Sequence, residues 1–131
     1  MKDFPDFEKA AGEALRTASI SGLSDRVYSS VPKSPTFPLL LVRRIGGLPA
    51  VRQYLDAANL QIDVWGASKS EARLIAAESR TVLFAMEGSD VGDVWVSGVE
   101  DSLGLSWQPD PETGRDRYVF AVNVYGRSLT S

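Results

Sequence analysis

Between Leu60 and Leu83 the chain changes its period. In LQIDVW, residues 60–65, Leu60, Ile62 and Val64 alternate with Gln61, Asp63 and Trp65. Side chains two apart share one face of a strand, so this stretch predicts a half-buried strand. Gly66 permits a turn. Ser68-Lys69-Ser70-Glu71 then fits a capping box, with the serine oxygen on the N3 amide and the glutamate reaching back to the N-cap amide. Ala72, Ile75, Ala76, Ser79, Val82, Leu83 and Met86 follow on one helical stripe. The helix is expected to end near Glu87-Gly88, with Gly88 beyond its last turn. A half-buried strand and an amphipathic helix must bury their apolar sides, which commits this part of the chain to a layered fold.

A strand, a glycine turn and a helix N-terminus are also the parts of a phosphate-binding site. Such a loop needs several glycines, so that backbone amides approach the anion, and often a lysine. WGASKSE has one glycine and one lysine. Its serine and glutamate already satisfy the helix amides. The stretch therefore reads as scaffold.

Residues 4–18 repeat apolar side chains at helical spacing, Phe4, Phe7, Ala11, Ala14, Leu15 and Ala18, with Glu8, Lys9, Glu13 and Arg16 facing water. Pro32, Pro35 and Pro38 then forbid helix and favour an extended loop. Residues 39–45 read as a strand whose beginning is apolar on both sides and so is expected to be covered on both. Arg43 and Arg44 should point to opposite faces, and Gly46-Gly47 should stop the strand. LPAVRQYLDAAN, residues 48–59, reads as a loop with some helical character. Residues 94–99 and 103–107 are strand-like, either one bulged strand or a hairpin. Residues 109–116 form a turn by composition, and residues 118–125 alternate as a closing strand. The expected class is α+β, in the order α-β-β-α-β-β. It is a mainly antiparallel sheet of four to five strands with two helices packed on one face, in a single domain spanning residues 1–131.

Composition restricts the chemistry. The chain has 131 residues, no cysteine and no histidine. That excludes a thiolate nucleophile, a Ser-His-Asp triad, imidazole base catalysis and the usual zinc sites. Carboxylate, lysine or magnesium chemistry is what remains for an enzyme. The formal net charge of −3 is not that of a nucleic-acid binder. The first residues, MKDFPDFEKA, do not read as a signal peptide. The longest apolar run, residues 37–42, is far too short to span a bilayer. No membrane partner and no cofactor are expected, and the protein is expected in the cytosol of the cell that makes it.

Asp90 and Asp93 in SDVGDV, and Asp110, Glu112 and Asp116 in the late turn, are the candidate carboxylates. The first pair lacks the acid spacing of a calcium loop, and the second set is interleaved with Arg115 and Arg117, as solvated turn charges are. Trp65, Trp95 and Trp107 offer a stacking platform on paper. Core or interface is the better reading for them, since aromatic residues dominate both. Trp65 falls on the polar side of its strand. An apolar ring there needs cover, from the proline loop or from another subunit. The pair Arg43-Arg44 better suits acids across a protein interface than a phosphate backbone, which takes several such contacts.

Three runs taken in order resemble one family: RVYSSVPKSPTFPLLLVRRIGG (residues 26–47), LQIDVWGASKSEAR (60–73) and LGLSWQPDPETGRDRYVFAVNV (103–124). Their succession is similar to the tail terminator, or tail completion, proteins of long-tailed phages, in particular those of actinobacteriophages. It consists of a proline-led strand with a double glycine, a strand ending in Trp-Gly, a capped helix, a Pro-Asp turn with Thr-Gly-Arg, and a closing strand. The resemblance implies a mechanical role and no catalysis. Copies of the protein form a ring, typically a hexamer, on the tail tube. The ring stops further tube subunits from adding and gives the head-tail connector, or head completion protein, a docking surface. Genomic DNA only passes through the lumen. The implied location is the tail-neck junction of the virion, after assembly in the host cytoplasm.

A ring built this way uses heterologous contacts that close by rotation. Some side chains should then look over-exposed in one isolated subunit. The candidates for the subunit or tube interface are Arg43, Arg44, Tyr54, Leu55, Trp65 and Tyr125, with residues 46–59 as the segment that meets the tube or a neighbour. Two rival readings make different demands. A small magnesium-dependent enzyme needs carboxylates that converge. A ligand-binding or adaptor module needs a deep apolar cleft. A ring former is expected to be flatter.

Overall fold

The computed structural model describes residues 6–20, 22–49 and 55–129. Asp6 starts the first helix, its carboxylate accepting from the Lys9 amide at 3.0 Å. Helix α1 (Phe7–Thr17) buries Phe7, Ala10, Ala11 and Leu15 on one side. Phe7, Ala11 and Leu15 of the expected stripe are buried and Ala14 is half-buried, whereas Ala18 caps the helix and is exposed; Phe4 lies outside the described residues. Arg16 Nε and Nη2 donate to the Val27 carbonyl at 3.2 and 2.9 Å, fastening α1 to the short strand β1 (Val27–Tyr28). The proline loop leads to β2 (Leu39–Pro49) and β3 (Leu55–Trp65). Helix α2 (Lys69–Phe84), β4 (Ser89–Val91), β5 (Val94–Trp107) and β6 (Arg117–Ser128) complete the chain.

The strands form one sheet in the order β1-β2-β3-β6-β5-β4. The β1–β2 pair is parallel and the others are antiparallel. The α+β class and the placing of both helices on one face hold. The strand count and order do not. Among the described residues six strands stand where four to five were expected, the sheet is mixed, and the order is α-β-β-β-α-β-β-β. The two additional strands are two and three residues long, too short to carry a period in sequence.

Two further expectations are corrected. Gly46-Gly47 does not end β2: Gly46 pairs with Asn59 and Gly47 with Ala58, and the strand runs on to Pro49. A bulge between Arg44 and Gly46 absorbs the irregularity. Much of the segment read as a loop is therefore strand, with Leu48 paired to Ala57 and Pro49 to Asp56. Residues 94–107 are one strand with three register shifts, which resolves the choice between bulged strand and hairpin. Helix α2 stops at Phe84, slightly before the expected Glu87-Gly88.

The main core lies between the helices and the sheet. Leu40, Val42, Leu60, Ile62, Val64, Phe120 and Val122 meet Phe7, Leu15, Ile75 and Leu83 there. A second, smaller cluster occupies the other side of the sheet. Leu39, Leu41 and Trp65 lie buried beneath Tyr28 of β1 and Phe37 of the proline loop. The start of β2 is thus covered on both faces, as its unbroken apolar run requires.

Candidate assembly face

Strand β3 sets the register of the exposed sheet face. Gln61, Asp63 and Trp65 point away from the helices, and pairing brings Arg43, Leu41 and Leu39 beside them on one flank. Ala121, Val119 and Arg117 stand beside them on the other flank. Beyond the proline loop, this face is bare of helices.

Its centre is a carboxylate. Asp63 is only 2% exposed. Its Oδ2 lies 3.7 Å from Arg43 Nη2 and 3.6 Å from Arg117 Nη1, and Gln61 Nε2 donates to its Oδ1 at 2.9 Å. A buried carboxylate is costly unless it is paired and hydrogen-bonded, and here it is both. Two guanidiniums around one carboxylate leave the group with an excess positive charge. The Arg43 side chain is 43% exposed, yet its Nε is buried without a hydrogen-bond partner.

Towards the hairpin end the face becomes a polar ladder. Asn59 Nδ2 donates to Asn123 Oδ1 and to Ser102 Oγ, both at 2.8 Å. The Tyr125 hydroxyl donates to Glu100 Oε1. Holding its proton for that carboxylate pushes the Tyr125 phenol above the usual tyrosine value.

At the opposite end Trp65 is 7% exposed. Its indole N–H donates to Asp110 Oδ2 at 3.1 Å, and Arg117 lies 5.7 Å from its ring. Over-exposure of Trp65 in the isolated chain is therefore not observed. Of the two covers considered for it, the proline loop is the one present. The backbone N–H of Glu112 also donates to Asp110, at 2.9 Å. That bond first, then the indole, holds the Asp110 carboxyl below the usual aspartate value. Arg115 stacks on Phe37 at 3.7 Å from the ring centre. Between the proline loop and the late turn lies a half-open cleft of about 310 Å³, walled by Val31, Pro35, Phe37, Leu39 and Trp65 and rimmed by Asp110, Glu112 and Thr113. This departs from the flat surface expected of a ring former.

The remaining candidates separate. Tyr125 shares the face with Arg43 and Trp65. Arg44 lies on the helix side, as expected from alternation; its amide donates to Glu8 at 2.9 Å and its Nε to the Gly46 carbonyl at 3.1 Å. Leu55 pairs through its backbone with Arg127 at the start of β3. Tyr54 lies outside the described residues. Asp90 sits in β4 and Asp93 in the turn after it. Among the described residues no three carboxylates gather to hold a metal ion, so the convergence that the magnesium reading demands is not found. The tryptophans form no platform either. Trp107 pairs with Tyr118 and carries Lys69 Nζ 4.2 Å above its ring, away from Trp65. No described helix is long and apolar enough to cross a membrane.

The Trp65-Gly66 turn behaves as scaffold. Ser68 Oγ accepts from the Glu71 amide at 3.1 Å, and Glu71 Oε1 accepts from Ala67 at 2.8 Å, one residue before the amide expected. A Cβ on Gly66 would stand 2.8 Å from the Ala72 nitrogen, so the glycine is there to let the helix pack close.

Asp63, Arg117, Asn59 and Asn123 were not among the sequence candidates. Asp63 carried a signal, an acid between the apolar Ile62 and Val64 and two residues from a tryptophan on the same side of its strand. Its arginine partners come from two other strands, and only the register reveals them.

A scan against protein-family models and a search of curated proteins find no match. The fold is similar to that of a chain in a solved structure described as the virion of a native gene transfer agent (GTA) particle. The TM-score is 0.67 at 15% identity, over 92% of this chain and 94% of that one.

Proposed function

We propose that this chain is a phage tail terminator. Six copies close a ring on the tail tube, end its polymerisation and present a surface to the head-tail connector, while genomic DNA passes through the lumen. The observation that carries this reading is the likeness of fold, along nearly the whole of both chains, to a chain of a virion particle. The order of motifs from the proline-led strand to the closing strand supports it independently. The work is done by shape, at the tail-neck junction of the virion, and involves no cofactor, bond chemistry or membrane.

The exposed sheet face supplies what such a ring needs. A stable contact of this kind buries about 1,200–2,000 Å², and the open face is the broad surface that the helices leave free. Arg43 and Tyr125 are the subunit contacts on this face. Tyr54, Leu55 and the rest of residues 46–59 reach the tube or the neighbouring subunit. Trp65 contributes from beneath, by holding the proline loop in place, and Arg44 belongs to the helix side of the same contact. The test is electron microscopy of purified tail tubes incubated with the protein, together with light scattering. Capped tubes of fixed length and a ring-sized mass are expected. Tubes that keep lengthening overturn the reading.

A second reading is favoured by one observation. The cleft beside Trp65 has the volume of a small-ligand site, about 300 Å³ or more, which suits a ligand-binding or adaptor module. Such a module would remain a monomer in the presence of tubes.

A further inference from the structure

The cleft beside Trp65 is apolar at its floor and acidic at its rim. Phe37, Leu39 and Trp65 form the floor, and Val31 lines one lip while remaining more than half exposed. Asp110 is held as a carboxylate by the Glu112 amide and the Trp65 indole. The Glu112 carboxylate makes no hydrogen bond or ion pair among the described residues and is exposed. An apolar socket with a free acid at its edge suits an apolar side chain followed by a cation.

One segment of this chain has that chemistry. The stretch from the end of β2 to the start of β3 reads Leu48-Pro49-Ala50-Val51-Arg52-Gln53-Tyr54-Leu55, with a single charge, Arg52, and a single amide, Gln53, among largely apolar side chains. It cannot serve its own chain's cleft. It joins β3 at Leu55, whereas the cleft lies at Trp65, and β3 is 11 residues long. Those ends stand about 33 Å apart at ~3.3 Å per residue. Socket and segment at opposite ends of one strand make a head-to-tail pair, the geometry of a heterologous contact that closes into a ring when its rotation allows.

We propose that the cleft receives the 48–55 segment of a second copy of this chain, with Arg52 against Glu112 and the flanking apolar side chains on Trp65 and Phe37. This rests on the ring reading and names its contact. It also accounts for a cleft that ring formation alone did not lead one to expect.

A synthetic peptide of residues 47–56, titrated into the full chain, tests the contact directly. Saturable movement of the Trp65 indole N–H resonance is expected, together with the Glu112 amide. Glu112→Lys in the chain, or Arg52→Glu in the peptide, should each weaken binding at least tenfold, and the two changes together should restore it. Glu112 has no side-chain bond to lose, so its variant should fold, and the restored pair guards against a general loss of structure. No movement at Trp65, or movement there caused only by a tail-tube segment, overturns the proposal. Tube capping is measured separately. Capping without peptide binding removes this contact and leaves the ring reading standing. Peptide binding without capping keeps the contact and removes the terminator reading.

Discussion

Asp63 and Arg117 face each other from neighbouring strands, carboxylate oxygen to guanidinium nitrogen 3.6 Å apart, with the aspartate almost wholly enclosed. Arg43 approaches the same oxygen from the other flank. Removing the carboxylate leaves two cations without their shared counter-charge. Breaking a fully buried pair costs about 3–5 kcal/mol. Both guanidiniums here keep some water, so Asp63→Ala should cost less, about 1–3 kcal/mol. Urea unfolding of the two proteins measures this. An unchanged midpoint would mean that the arginines find other partners.

Trp65→Ala should act on folding. The ring is the largest member of a small cluster with Leu39 and Leu41, and its N–H anchors Asp110. Truncating a buried tryptophan costs about 3–5 kcal/mol. Thermal unfolding should shift down markedly, while Trp65→Phe should recover most of the loss. A variant with wild-type stability would mean that Leu39 and Leu41 repack without the ring.

Two groups set opposite pH limits. The Asp110 carboxyl lies below the usual aspartate value, so the folded state holds it ionised more readily than the unfolded chain does. Its stabilisation is complete above the unfolded value of about 3.9 and is lost as pH falls through the lower folded value. Tyr125 is raised, so its contribution is complete below the unfolded value of about 10 and is lost as pH rises through the higher folded value. Asp110→Asn should flatten the acid limb of a stability–pH curve. In an ultraviolet titration, Tyr125→Phe should remove a phenol that ionises above the usual tyrosine value.

Gly126 and Gly104 should respond very differently to a methyl group. A Cβ on Gly126 would fall 1.9 Å from the Trp95 carbonyl oxygen, where β5 crosses its first register shift; a Cβ on Gly104 meets nothing within 4 Å. Gly126→Ala forces backbone apart and should cost about 3 kcal/mol or more, the upper range of overpacking. Gly104→Ala should stay within about 0.5 kcal/mol of wild type, as surface changes do. Chemical denaturation of both variants checks the contrast.

The parts legible in sequence were those whose signals are local. Ser68 and Glu71 announce the start of α2, the helical spacing of Phe7, Ala11 and Leu15 marks α1, and Leu60-Ile62-Val64 names the buried side of β3. What escaped depends on partners far along the chain. Gly46 and Gly47 look like a stop, yet they are held in a ladder by Asn59 and Ala58. β1 exists because Leu40 and Leu41 pair with Val27 and Tyr28. The candidate face was half legible. Alternation put Trp65 with Gln61 and Asp63 and set Arg43 and Arg44 on opposite sides of their strand, but only the register shows that Arg43, Trp65 and Tyr125 share one face, and the tie of Arg43 and Arg117 to Asp63 spans three strands.

Among the described residues the sheet has six strands, but its outermost two are β1, of two residues, and β4, of three. β1 covers only Leu40 and Leu41 of β2, and β4 only Val94–Val96 of β5, so most of both long strands runs along a margin of the sheet. Backbone along a sheet margin is a template on which further strands add without limit. Two such margins give one copy a place to take up a strand of the next, so in the proposed ring it is closure by rotation, and not the sheet itself, that brings the protein's own growth to an end.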